Sequence, residues 1–185
     1  MVQRLIADAA GFDADFTAMV EARRESDDDV SAVVREVIAA VRRDGDDAVR
    51  AYTRQWDQHD LHRTGWRIGR EDFEQAFRAL EPELRIALEL AAHRIAAYHE
   101  KQLPTDSEAV DSAGVRLGAR WRAVESAGIY VPGGRAAYPS SVLMNAIPAA
   151  VAGVRRVVMA TPMPNGVPNS LVLAAAHLAD IDEIV

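Results

Sequence analysis

A chain of 185 residues has room for one substantial core, and 49% hydrophobic with 26% charged residues is the balance of a globular protein rather than a disordered one. A formal charge of −7 argues against sequence-independent nucleic-acid binding, which needs a concentrated basic face; Arg42-Arg43 and Arg155-Arg156 read as solvated ends of elements. The lack of cysteine excludes disulfides, a thiol nucleophile and thiolate metal sites, and fits a reducing cytoplasm.

The first apolar run is broken by Arg4, Asp8, Asp13 and Asp15, so it is no signal peptide. Asp27-Asp28-Asp29 stands before the stripe Val30, Val33, Val34, Val37, Ile38 and Val41, which closes on Arg42-Arg43 and Gly45. That pattern predicts a helix starting near Asp29, with charge at both ends suiting its dipole. A second helix follows from Asp46 to Trp56, then a polar, turn-like stretch from Gln58 to Gly65, a short strand at Trp66 to Ile68 and a helix over Glu71 to Leu80. Pro82 suits a first helical position, and Leu84, Leu88, Ala91, Ile95 and Tyr98 recur at three or four residues through about Gln102.

Pro104 to Ser112 reads as a polar connection. Val115, Leu117, Ala119 and Trp121 then alternate with Arg116, Gly118, Arg120 and Arg122 as a strand, expected to turn through Glu125 to Gly128 and pair as a hairpin with Gly128 to Val131. From Gly128 the order becomes strand, helix (Ser140 to about Gly153, interrupted by Pro148), strand (Arg156 to Ala160), helix (Asn169 to about Ala179) and strand (Glu183 onward). Short apolar strands alternating with helices predict βαβ units and a parallel sheet. Only six of the 49 charged residues follow Ser126, so this half is the core. The uncharged runs 136–154 and 157–179 contain Pro, Asn and Gly and read as buried core rather than membrane spans. The chain ends two residues into its last strand, an edge expected to need further protein or a partner to cover it.

The candidate site is the stretch Gly128 to Gly153. A strand runs into Pro132, Gly133 and Gly134, and Ser140 is the expected N-cap of the following helix. Strand, glycine turn and helix N-terminus together offer free amides to an anion, although a plain strand-to-helix connection reads equally well. Tyr130 stands just before that loop, its ring either in the core or with its hydroxyl at the carboxyl end of the sheet, where ligands of open α/β sheets bind.

The remaining chemistry is bland. His59 and His62 lie in polar sequence without convergent ligands, His93 and His99 do not share a helix face, and His177 reads as a satisfied core histidine. No HExxH, GxSxG or P-loop lysine occurs, and Gly133-Gly134 is not a GxGxxG fingerprint. The acidic clusters at 27–29 and 44–47 flank expected helix starts and are explained by them.

Three long blocks, GVRLGARWRAVESAGIYVPGG (114–134), RAAYPSSVLMNAIPAAVAGVRRVVMATP (135–162) and NSLVLAAAHLADIDEIV (169–185), closely resemble the N-terminal part of histidinol dehydrogenase. RRDGDDAVRAYTRQWD (42–57) and AAHRIAAYHEKQ (91–102) match the same family in order. The resemblance implies an α/β fold with a mainly helical N-terminal region, residues 1–112, and an incomplete Rossmann-like parallel sheet of βαβαβ order over 113–185. It implies a cytoplasmic, homodimeric, NAD-dependent and zinc-containing enzyme that oxidises L-histidinol to L-histidine in two hydride transfers. By position, Tyr130 matches a family tyrosine that contacts NAD, and Pro132 and Gly133 are the expected neighbours of the cofactor on the same loop. The family's catalytic Glu-His pair and its zinc ligands lie downstream of the counterpart of Val185, so no catalytic or metal-binding residue is assigned here, and the chain alone is expected to be inactive. Arg135 replaces a common lysine and Tyr138 a common leucine. Two other readings stand beside this one: a related NAD-dependent dehydrogenase of the same fold acting on another small alcohol, and a non-catalytic module that binds a partner or dimerises through its sheet edge. Neither nucleic acid nor membrane is an expected partner.

Overall fold

The computed structural model describes residues 4–133 and 137–185, with the backbone alone for 22–29. The chain divides into two compact units, Met1–Tyr52 and Thr53–Val185.

The first unit is dominated by α1 (Phe12–Asp44), one unbroken helix. The start expected near Asp29 is therefore wrong by several turns. Ala18, Met19, Glu21, Ala22, Arg23, Arg24 and Glu25 are strong helix formers, so continuing the helix costs less than ending it before the three aspartates. Asp13 and Asp15 sit in the first turn and Arg42 and Arg43 in the last, both favourable to the dipole. α1 ends at Gly45, and α2 (Asp46–Trp56) begins at once and carries the chain into the second unit.

The second unit is built on a three-stranded parallel sheet, β3 (Ser126–Tyr130), β4 (Arg156–Ala160) and β5 (Glu183–Ile184), in that spatial order. The connections are α6 (Pro139–Val151) and α7 (Ser170–Leu178), giving the expected βαβαβ order and α/β class. α6 and α7 pack against each other and cover one face of the sheet. Val131, Met159, Val142, Leu143, Ala146 and Ile184 are almost fully buried between these layers. A third layer, α4 (Arg70–Arg78) on α7 and α5 (Pro82–Glu100) on α6, closes the core, with Phe73 of α4 at 1% exposure.

Four local expectations are corrected. The segment read as a polar connection holds β1 (Ser107–Val110), which pairs antiparallel with β2 (Arg116–Ala119) in the register Val110↔Arg116 to Ser107↔Ala119. β2 therefore does not pair with β3, and the expected turn at Ser126 is already strand. Both hairpin strands are exposed throughout, so β1 carries no burial-driven alternation to read. Ser140 is not the N-cap of α6: Tyr138 is, and Pro139 takes the first helical position, where its missing N–H costs nothing. One isolated contact is made at the edge of β5. Ile68, expected in a short strand, forms an antiparallel bridge with Ile184.

Asn169 caps α7 as expected, its Oδ1 accepting from the N–H groups of Leu171 and Val172. At the opposite end of the sheet, Asp182 accepts the Val157 N–H at 2.7 Å and pairs with Arg70 at 2.9 Å. Burial alone would raise its pKa, but the Val157 amide, the Arg70 side chain and the charges of Arg70 and Arg156 outweigh it and hold the carboxyl below its ordinary range. Among the described residues, no helix is long and apolar enough to cross a membrane.

Candidate functional site

At the carboxyl ends of the parallel strands the loops after β3 and β4 approach closely and leave a cleft of about 200 Å³. Gly133, from the β3 loop, forms one side. A Cβ on it would stand 3.1 Å from the Pro162 carbonyl oxygen and 3.5 Å from Thr161 Oγ1, so a side chain there would have to displace the β4 loop. Thr161 to Pro164 form the opposite wall, and Val167, Pro168 and Asn169 lead from it into α7. Val172, Leu173 and Ile68 supply the apolar base. Among the described residues none of the lining side chains ionises, so the described lining can bind and orient a ligand but offers no group to move a proton.

This is the position at which open parallel sheets bind their ligands, outside the carboxyl ends of the strands. The three cofactor residues expected from the sequence are placed differently from one another. Gly133 lines the cleft and Pro132 is exposed beside it. Ile129 and Val131 point into the core, so Tyr130 between them projects from the opposite face of the sheet, 65% exposed and outside the cleft lining. Its core alternative is thus removed. Gly134, the other glycine of the expected loop, lies outside the described residues. The first turn of α6 has no side-chain cap, whereas the first amides of α7 are taken by Asn169.

The wall formed by the β4 loop was missed at the level of sequence. Pro162, Pro164, Gly166 and Pro168 mark it as irregular backbone following a strand, which is the signal that could have located it. Its outer side rests on the segment after α2. There His59 is 4% exposed, packs against Gly166 and holds Thr64 Oγ1 at 2.6 Å from its Nε2. In the same segment Asp60 caps the short helix α3 (Leu61–Thr64), and the Arg54 side chain, then the His62 amide, keep its carboxyl below the ordinary range.

The other histidines stand away from the cleft. His177, expected in the core, is exposed on α7 and stacks on Phe77 at 5.0 Å between ring centroids. Among the described residues, no group of three or more His, Asp or Glu side chains is placed to hold a metal ion.

Comparison with known proteins agrees with this geometry. The sequence model of the family described as histidinol dehydrogenase matches residues 20–185. Histidinol dehydrogenase from Zymomonas mobilis is 54% identical over 184 residues, covering 100% of this chain and 43% of its own length. The enzyme of that name from Rhodospirillum rubrum is 52% identical, with 42% of its length covered. The chain thus spans less than half the length of the curated relatives it matches. In three dimensions it resembles the crystal structure of histidinol dehydrogenase from Elizabethkingia anophelis, with a TM-score of 0.75 and 31% identity over 84% of this chain and 36% of that one. A family match over nearly the whole sequence, close relatives and a shared backbone agree: the chain belongs to the histidinol dehydrogenase family.

Proposed function

We propose that this chain forms the NAD-side portion of a zinc-containing histidinol dehydrogenase, which oxidises L-histidinol to L-histidine in two hydride transfers. The supporting observation is the cleft at the ends of β3 and β4, with Gly133 placed where a side chain would press on the Pro162 backbone. A glycine at such a point lets backbone amides come close to a ligand. In this reading Gly133 and Pro132 supply the cofactor loop, and Tyr130 meets the part of NAD that extends past the sheet edge. Pro139 brings no N–H to the first turn of α6, and the Ser141 and Val142 amides donate to the Tyr138 oxygen, so that helix offers the loop its positive dipole end rather than a set of free donors. NAD, when bound, supplies the hydride acceptor; the residues of this chain bind it, orient it and exclude water from the apolar base of the cleft.

The described residues do not fit a zinc site, since no set of ligands converges among them, and no step is assigned to zinc here. With no ionisable side chain in the cleft lining among the described residues, the chain alone is read as binding cofactor without turning over histidinol. In this reading residues 113–185 act as the cofactor segment. Val30, Val33, Val34 and Ile38 stand exposed on α1 and favour a homodimer for the whole enzyme.

Calorimetric titration of the 185-residue chain with NAD, followed by an NAD-reduction assay with L-histidinol and zinc, tests both parts. Binding without turnover is expected. Failure to bind NAD would remove the cofactor reading, and sustained turnover would remove the claim that this chain is inactive alone.

A further inference from the structure

The wall of the cleft is a turn that takes the left-handed backbone region twice in succession, at Asn165 (φ 60°) and Gly166 (φ 70°). Asparagine tolerates that region better than most residues, but it still carries a conformational cost and persists where neighbours over-determine it. Here the neighbours come from the segment after α2. The Asn165 N–H donates to the Asp57 carbonyl oxygen at 2.6 Å. The buried imidazole of His59 fills the space next to Gly166: a Cβ on Gly166 would stand 2.9 Å from the ring's Cδ2 and 3.3 Å from its Nε2.

The ring is itself held. Its Nε2 lies 2.6 Å from Thr64 Oγ1, and Thr64 ends the short helix α3, whose N-cap Asp60 is paired with Arg54 at 3.0 Å. On the other side of the same turn, Met163, Pro164 and Val167 face the cleft. A ring held by a hydrogen bond thus meets a glycine whose neighbours form a ligand-facing surface.

We propose that His59 is a positioning residue of the cofactor site: locked on Thr64 and wedged against Gly166, its imidazole holds the 163–167 turn in the shape that the cleft requires. His59 itself touches no ligand. The inference rests on the reading of the cleft as the NAD site. Two properties of imidazole are needed together. Its flat ring fills the room left by Gly166, and its polar edge fixes the ring's orientation through Thr64. Phenylalanine supplies the first without the second, and alanine supplies neither.

The test uses the 185-residue chain with His59→Ala, His59→Phe and Thr64→Val, read by amide hydrogen exchange and by calorimetric titration with NAD. The Gly166 and Val167 amides donate to Met163 and Pro164 within the turn and report its opening directly. In His59→Ala they are expected to exchange about tenfold faster or more, while the Leu173 to His177 amides of α7 keep their wild-type rates. NAD affinity is expected to fall by about tenfold, with Thr64→Val and His59→Phe intermediate. If the turn exchanges as in wild type while the melting temperature falls, His59 only fills space and the proposal is overturned. It is equally overturned if the turn opens and NAD affinity does not change in a chain that binds NAD. A wild-type chain that fails to bind NAD overturns the cofactor reading, and the exchange measurement then still decides whether His59 holds the turn. Should His59→Ala not fold, Thr64→Val removes the ring's partner without emptying the site and answers in its place.

Discussion

Ile68 and Ile184 exchange both backbone hydrogen bonds, Ile68 N–H to the Ile184 oxygen at 3.0 Å and Ile184 N–H to the Ile68 oxygen at 3.1 Å. This bridge satisfies the outer edge of β5, while Ile184, 1% exposed, fills the core beneath it and Ile68 reaches the base of the cleft. Truncating Ile184 to alanine removes buried methyl groups at a site whose neighbours are fixed by backbone pairing on both sides. The expected loss is about 2–5 kcal/mol, read as a lower midpoint in urea unfolding with the slope unchanged. Ile68→Ala, at a half-buried position, is expected to cost less and to keep the backbone bridge. Equal losses at the two positions would mean that burial is not what distinguishes them.

The bridge also marks where reading the sequence stops being sufficient. The βαβαβ order, the Asn169 cap and the Pro82 helix start are local: each follows from periodicity or from a residue whose side chain satisfies a nearby amide. The partner of β5 is not local. Trp66 to Ile68 reads as a short strand, but only the closed fold brings Ile68 beside Ile184. β1 was illegible for a different reason, since a strand exposed on both faces has no buried side to impose alternation. In the site, the YVPGG loop announces itself by composition, but the opposite wall is made by a left-handed turn whose support comes from His59, far away in sequence. A histidine in a polar stretch carries no mark of burial until the element that buries it is known.

Asp182 ties the start of β4 to Arg70, and its depressed pKa makes that tie sensitive to acid. A carboxyl lowered below its ordinary value near 3.8 contributes stability that is complete above that pH and is lost as pH falls through the lower folded value. Asp182→Asn keeps an acceptor for the Val157 N–H but loses the charge that Arg70 meets. The melting-temperature gap between wild type and Asp182→Asn is therefore expected to be constant above about pH 5 and to close below about pH 4. A gap that widens on acidification would reverse the assigned sign.

Asn169 serves α7 and the cleft together. Its Oδ1 accepts from Leu171 and Val172 at 3.0 and 3.3 Å, and Val172 and Leu173 just beyond it form the apolar base. Asn169→Ala is expected to lower stability by about 1 kcal/mol through the loss of the cap, and Asn169→Asp to restore most of it, because a carboxylate caps as well and favours the helix dipole. Chemical denaturation of the three proteins checks the order. If alanine and asparagine are equally stable, the cap contributes nothing and the start of α7 is set by packing alone.

Gly133 gives the most direct test of the cleft itself. The Cβ of Gly133→Ala would meet the Pro162 carbonyl oxygen at 3.1 Å, closer than an ordinary carbon–oxygen contact, and that atom belongs to backbone that cannot swing aside like a side chain end. Pro162 is followed by the 163–167 turn, so relief by moving the β4 loop must be transmitted to the surface on which the ligand is proposed to lie. Overpacking of this kind is expected to cost about 1–3 kcal/mol, part of it as folding stability and part as distortion of the cleft. Calorimetric titration should show NAD affinity lower by about tenfold in Gly133→Ala. The control is Gly128→Ala, in the strand that leads to the same loop, where nothing lies within 4 Å of the added Cβ and affinity should stay close to wild type. If both variants lose affinity equally, the effect belongs to the strand, and the close approach of Gly133 to Pro162 is not what shapes the site.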